Sequence, residues 1–168
     1  NDLNNVVEGG RHLLLGASFI RNDTDTGVTR LALNSDRNLN ALSDAMLAEL
    51  ARHLDEIATD TSTKVVIISG EGRAFCAGHD LKEMTAKRQA DDGGRAGFLD
   101  LFQRCSSVMQ RITALPQPVI AQVHTIATAA GCQLVATFDG RWDLEQCFGA
   151  RSSRNDGRSS GCHRASSD

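Results

Sequence analysis

An α/β fold is the architecture this sequence predicts, on three observations. Val65-Val66-Ile67-Ile68-Ser69 is an uncharged, β-branched run that reads as a buried strand. Gly70 and Gly72 end it, a second loop follows at Ala77-Gly78-His79-Asp80, and Leu81-Lys82-Glu83-Met84 reads as the first turn of a helix. A second strand, Val119-Ile120-Ala121-Gln122-Val123, leads into another small-residue turn and helix start. A strand, a glycine loop and a helix start together aim free backbone N–H groups at a developing negative charge.

Bulk properties set the frame. At 168 residues, 40% of them hydrophobic and 23% charged, the chain suits one domain with enough length to bury a core. A net charge of −3 and a pI near 5.9 give no electrostatic case for a nucleic-acid partner. No apolar run approaches membrane-crossing length, so no membrane partner is expected. The five cysteines show no C-x-x-C pairing, which predicts a reducing compartment. Cys76, Cys105 and Cys132 are read as small buried hydrophobes. Asn1 to Gly10 is polar and slightly acidic, and Leu13-Leu14-Leu15 is too short for a signal core. A cytoplasmic location is expected, or the mitochondrial matrix if a transit peptide has been removed.

Each element has its own signal. Phe19-Ile20-Arg21 and Val28 to Leu33 read as a hairpin around the turn Asp23-Thr24-Asp25-Thr26-Gly27. Asn34 to Asn38 is a polar loop. Ser43 caps a helix whose Met46, Leu47, Leu50, Leu54 and Ile57 recur at steps of three and four. His53 is placed off that face and expected to be exposed. Thr85 to Gly94 is polar and glycine-ended, and reads as a mobile surface loop. A second amphipathic helix carries Phe98, Leu101, Phe102, Cys105, Val108, Met109 and Ile112, with core packing the default for both phenylalanines. Leu115-Pro116 stops it.

The glycines admit a dinucleotide reading, because Gly70-Glu71-Gly72 follows a strand. That fingerprint requires a third glycine where this chain has Phe75, which argues against it. RAFCAGHDLKEM instead resembles the signature of the enoyl-CoA hydratase/isomerase family, the crotonase fold. PQPVIAQVHTIATAAGCQLVATFD resembles the family's second fingerprint, and VTRLALNSDRNLNALSDAML its first strand and helix. The likeness runs from about Val28 to Asp139. It implies a crotonase-type ββα spiral, N-terminal part only, with a partial CoA-thioester domain at 1–139 and a non-family tail at 140–168.

The resemblance also implies the chemistry. The family acts on CoA thioesters, whose carbonyl oxygen takes on negative charge as an enolate forms. Two convergent backbone N–H donors stabilise that oxygen, and such a donor is worth roughly 3–4 kcal/mol of barrier. Residue by residue, the resemblance puts these donors at His79 and Ala130, with Ala77, Gly78, Asp80, Leu81 and Gly131 around the bound thioester. Arg37 is a candidate phosphate contact or else a solvated loop arginine. No metal and no separate cofactor are implied, since coenzyme A belongs to the substrate. Phe98 and Phe102 could line an acyl channel, and the Thr85–Gly94 stretch could act as a lid. Family members assemble as homo-trimers or hexamers.

Two departures from the pattern bear on activity. Hydratases of the family use two glutamates as acid and base. The first position is Gln133 here, and an amide neither gives nor takes a proton at neutral pH. The second is not found beyond Asp139. His79 is a conceivable substitute base, and Thr125 stands where the family has glycine. The ending RSSRNDGRSSGCHRASSD has almost nothing apolar, so burial cannot repay its ordering entropy and it is expected to be irregular. Altered splicing or a shifted reading frame would account for it. The resulting expectation is an enzyme acting on, or a protein binding, a fatty acyl-CoA thioester. The alternatives are a non-catalytic acyl-CoA-binding or assembly protein and an inactive truncated product.

Overall fold

The computed structural model describes residues 4–8, 11–15, 18–138 and 140–142. Its main sheet has seven strands in the order β1-β2-β3-β4-β5-β7-β9. The strands β1 (Asn4–Glu8), β2 (Arg11–Leu15), β3 (Phe19–Asp23) and β4 (Val28–Leu33) form an antiparallel meander. From β4 onward the sheet is parallel, through β5 (Val65–Gly70), β7 (Val119–Gln122) and β9 (Gly140–Trp142). Parallel neighbours need crossovers, and helices supply them. α1 (Asp44–Thr59) links β4 to β5, and α2 (Leu81–Arg88) and α3 (Arg95–Ala114) lie between β5 and β7. A second, two-stranded parallel sheet joins β6 (Ala74–Cys76) to β8 (Ile126–Ala127), and α4 (Ala130–Thr137) follows.

The core lies between one face of the parallel strands and the helices α1 and α3. Leu31 and Leu33, Val66 and Ile68, and Val119 and Ala121 are the buried residues of three adjacent strands, set at the two-residue period of a pleated strand. Met46, Leu47, Leu50, Leu54 and Ile57 of α1 meet them, with Leu101, Cys105, Val108, Met109 and Ile112 of α3. The alternate strand positions Val65, Ile67 and Ile120 are only half-buried, and Gln122 is exposed, so neither strand is buried on both faces. Ser43 caps α1 as expected, its Oγ accepting the Met46 N–H at 3.1 Å.

Several expectations are corrected here. The meander begins earlier than the predicted hairpin, with β1 and β2. The Asn34–Asn38 loop contains a 3-10 turn at Asp36–Asn38. The Thr85–Gly94 stretch is half helix, since α2 runs on to Arg88. Asp80 caps that helix, accepting from the Lys82 and Glu83 N–H groups, and Lys87 pairs with Asp44 at 2.6 Å. A helix held by a cap and an ion pair has no apolar stripe to betray it in a sequence. Phe102 is 51% exposed and outside the core. Cys76 and Cys105 are buried as expected, but Cys132 is only half-buried. β9 extends the sheet past the expected boundary at Asp139. The expectations for the tail beyond Trp142 lie outside the described residues.

His53 is the largest correction, because it is buried to 3% exposure rather than solvated. Its ring packs edge-on against Phe19 at 5.7 Å between centroids, and its Nε2 meets an Arg52 nitrogen at 3.0 Å. Burial holds the imidazole at about 4, against an ordinary 6.5; Arg52 and Arg21 push the same way, and Glu56 and Asp23 oppose them. The unfolded chain takes up this proton below about 6.5, whereas the folded chain refuses it until about 4. Stability should therefore fall as pH drops from 6.5 to 4, then level off for this group. Denaturant melts across that window should show a loss that His53→Leu reduces. Parallel pH curves for the two proteins would contradict it.

Candidate active site

The two small-residue loops meet where β6 and β8 pair. Thr128 ties them twice: its N–H donates to the Cys76 carbonyl at 3.0 Å, and its Oγ1 donates to the Ala77 carbonyl at 3.0 Å. Gly78 sits at φ 91°, a conformation that L side chains rarely adopt. A Cβ there would lie 2.9 Å from the Ala129 Cβ and 3.3 Å from the Ala130 nitrogen. Gly131 fits for a different reason. A Cβ on it would lie 2.3 Å from the Cys76 carbonyl oxygen. Small residues thus let one backbone run against another.

The same packing leaves two donors unused. At the start of α4, Gly131 N–H donates to Thr128, and the Cys132 and Gln133 N–H groups donate to the Ala129 carbonyl. Among the described residues, no backbone carbonyl accepts from the Ala130 or the His79 N–H. Ala129 pays locally for this turn, with φ 49° and ψ −122°, a region sparsely populated by non-glycine residues. Behind the loops, buried Asn40 accepts the Ser35 N–H at 2.7 Å and donates to the Glu71 and Ala74 carbonyls at 2.8 Å each. Leu42 N–H donates to the Gly78 carbonyl at 2.7 Å, fixing the peptide that precedes His79.

A cleft of about 240 Å³ opens beside these loops. It brings together Arg37, Ala77, His79, Asp80 and Leu81 of the expected set, with Asn38, Leu39, Ala41 and Lys82. Gly78, Ala130 and Gly131 stand beside it rather than in its wall, and Gln133 is exposed on the first turn of α4. Arg37 is exposed, and neither it nor Lys82 has a side-chain partner among the described residues. Lys82 was missed, although it stands inside the signature run beside Asp80 and Leu81. The Asp80 carboxylate is occupied as the α2 cap and accepts Asn38 Nδ2 at 3.3 Å. Leu81 is 75% exposed, and Phe102, stacked on Phe98 at 6.4 Å, sets its ring edge-on to His79 at 5.6 Å.

The electrostatics favour neutral groups. Burial lowers the His79 pKa below its ordinary value; the nearby Leu42 backbone pulls the other way, although Nδ1 itself makes no hydrogen bond. Burial pushes the Cys76 thiol up to about 11, so it is no thiolate at neutral pH. Among the described residues no three His, Cys, Asp or Glu side chains gather as a metal site. No described helix is long and apolar enough to cross a membrane.

Comparison with known proteins places this arrangement. A family model described as enoyl-CoA hydratase/isomerase matches residues 23–142. The chain belongs to the enoyl-CoA hydratase/isomerase family. It is 42% identical over 113 residues to the enoyl-CoA hydratase domain-containing protein 3, mitochondrial, of Xenopus laevis, covering 67% of this chain and 37% of that protein. It is 35% identical to the 1,2-epoxyphenylacetyl-CoA isomerase of Escherichia coli, covering 69% of this chain and 44% of that one. An enoyl-CoA hydratase structure from Mycobacterium smegmatis superposes with a TM-score of 0.70 at 47% identity, covering 75% of this chain and 47% of that one. The human enoyl-CoA hydratase domain-containing protein 3 gives 0.67 at 41% identity, covering 74% and 47%. The chain thus spans under half the length of these relatives, and the α/β architecture above is that of the crotonase-fold structures it matches.

Proposed function

We propose that the chain binds an acyl-CoA thioester, with the His79 and Ala130 N–H groups as an oxyanion hole for the thioester carbonyl. The observation that carries this reading is the pair of unused backbone donors that Gly78 and Gly131 allow to approach one another. Ala130 opens a helix, so the helix dipole adds to its pull on a negative oxygen. Arg37 and Lys82 supply positive charge at the cleft for the CoA phosphates. Membership of an acyl-CoA-processing family supports the same substrate class.

The readout is ligand-dependent melting. Hexanoyl-CoA should raise the melting temperature more than free CoA at equal concentration, because only the thioester offers a carbonyl to the two donors. Equal shifts would contradict the reading. Hydration is expected to be very weak, because the exposed Gln133 amide cannot act as a general base. Loss of the conjugated enoyl absorbance of crotonyl-CoA measures it, and rapid hydration by the unmodified chain would contradict this assignment. The same amide favours a second reading, binding without turnover.

A further inference from the structure

We infer that Asp44 is a positioning residue that holds the two walls of the cleft at their working separation, and so sets the grip of Arg37 and Lys82 on the phosphates of a CoA ligand. The inference rests on the CoA-binding reading above and goes beyond it, to what fixes the width of that site. One wall is the loop that runs into α1, with Arg37, Leu39 and Ala41; the other is the loop and first turn of α2, with His79, Leu81 and Lys82. Backbone bonds join the walls near the small-residue loops, from Leu42 N–H to the Gly78 carbonyl and from Ala77 N–H to the Leu39 carbonyl. Farther along, α2 has no buried residue, and of its apolar side chains Met84 alone packs against the core, half-buried. Apolar packing therefore does little to orient this helix.

Asp44 supplies what packing does not. It stands in the first turn of α1 and meets α2 in both directions. Its backbone N–H donates to Glu83 Oε2 at 2.8 Å, and its carboxylate accepts Lys87 Nζ at 2.6 Å. A Cβ on Gly97 would lie 3.3 Å from the Lys87 Cγ, so glycine at that position of α3 leaves the lysine stem its path to Asp44. The same carboxylate accepts Arg104 Nη2 of α3 at 2.7 Å. Burial raises the Asp44 pKa, but the bonds from Lys87 and Arg104 outweigh it and keep the group ionised at neutral pH. The Lys87 and Asp44 side chains are 19% and 39% exposed, so the pair is more sheltered than an open surface ion pair. The chain leaves α2 through Gly93 and Gly94, both at positive φ, which permits a hinge there. With the Asp44 tie cut, α2 turns about that hinge and carries Lys82 away from Arg37. The bond from Leu42 keeps Gly78 and the His79 N–H in place.

Calorimetric titration of the full chain with free CoA reads the grip, at a temperature where each protein is folded by circular dichroism. Asp44→Asn should weaken CoA on the order of 5-fold, and hexanoyl-CoA by the same factor. The preference for hexanoyl-CoA over CoA should survive, because the carbonyl donors stay in place. Lys87→Gln should weaken CoA as well, and the double variant should be no weaker than Asp44→Asn alone, since both changes cut one tie. Amide exchange of α2 should speed up in Asp44→Asn. Arg104→Gln breaks the tie to α3 and should lower the urea midpoint while keeping the CoA Kd within about two-fold of the parent. A CoA Kd that Asp44→Asn leaves within about two-fold would overturn the inference, as would additive losses from Asp44→Asn and Lys87→Gln. It also falls if Arg104→Gln weakens CoA as much as Asp44→Asn does, which would mark a general loosening of the helices. If the unmodified chain binds CoA and hexanoyl-CoA equally, the oxyanion-hole reading fails while the CoA losses still support the role of Asp44. No binding of CoA by the unmodified chain would overturn both.

Discussion

Gly131→Ala should cost the chain on the order of 3 kcal/mol or more and abolish the extra melting shift with hexanoyl-CoA. The new Cβ would lie 2.3 Å from the Cys76 carbonyl oxygen and 3.0 Å from the Cys76 carbonyl carbon and Cβ. The first two are backbone atoms of β6, which cannot swing aside as a side-chain end would. The same carbonyl accepts the Thr128 N–H, so moving it also loosens the tie that sets Ala129 and Ala130. Urea melts measure the loss, which should appear as a lower midpoint. A variant within about 0.5 kcal/mol of the parent would show that α4 can slide away from β6 freely.

Gly78→Ala is expected to cost about 2 kcal/mol, through a different mechanism. At φ 91° any Cβ is strained, on the order of 1–2 kcal/mol. The added methyl would also press on the Ala129 Cβ at 2.9 Å and the Thr128 carbonyl at 3.1 Å. Relief requires the two loops to part, and parting them separates the His79 and Ala130 donors. Binding should suffer more than stability: the preference for hexanoyl-CoA over CoA should disappear while a cooperative melt remains. Retention of that preference would mean the carbonyl is read elsewhere.

The strand–glycine–helix corners were legible because each demanded residues with a single physical purpose. Gly78 adopts a positive φ, Gly131 touches backbone, and Ser43 caps a helix. The misreadings share one cause, the use of polarity as a proxy for exposure. His53 lies at steps of three and four from Leu50 and Ile57, within the apolar stripe of α1, and its position told more than its chemistry. Phe102 shows the converse. It belongs to the run of α3 apolar residues, but Leu101, Cys105, Val108 and Ile112 define the buried line, and Phe102 turns off it toward His79. Lys82 and the continuation of α2 were hidden for want of an apolar periodicity. The Arg21 network was silent as well: this nearly buried arginine holds Asp23 at 2.9 Å and Glu56 at 3.1 Å, and only the fold brings α1 beside β3.

The central claim is that the His79 and Ala130 N–H groups polarise a thioester carbonyl. Infrared difference spectroscopy with hexanoyl-CoA carrying a 13C label at the thioester carbonyl tests it most directly. Two converging donors draw electron density onto the oxygen and weaken the C=O bond. The bound band should therefore move to lower frequency than in water, and in Gly78→Ala it should return toward the solution position. A bound ligand whose carbonyl band stays at its solution frequency in the unmodified chain would contradict the claim.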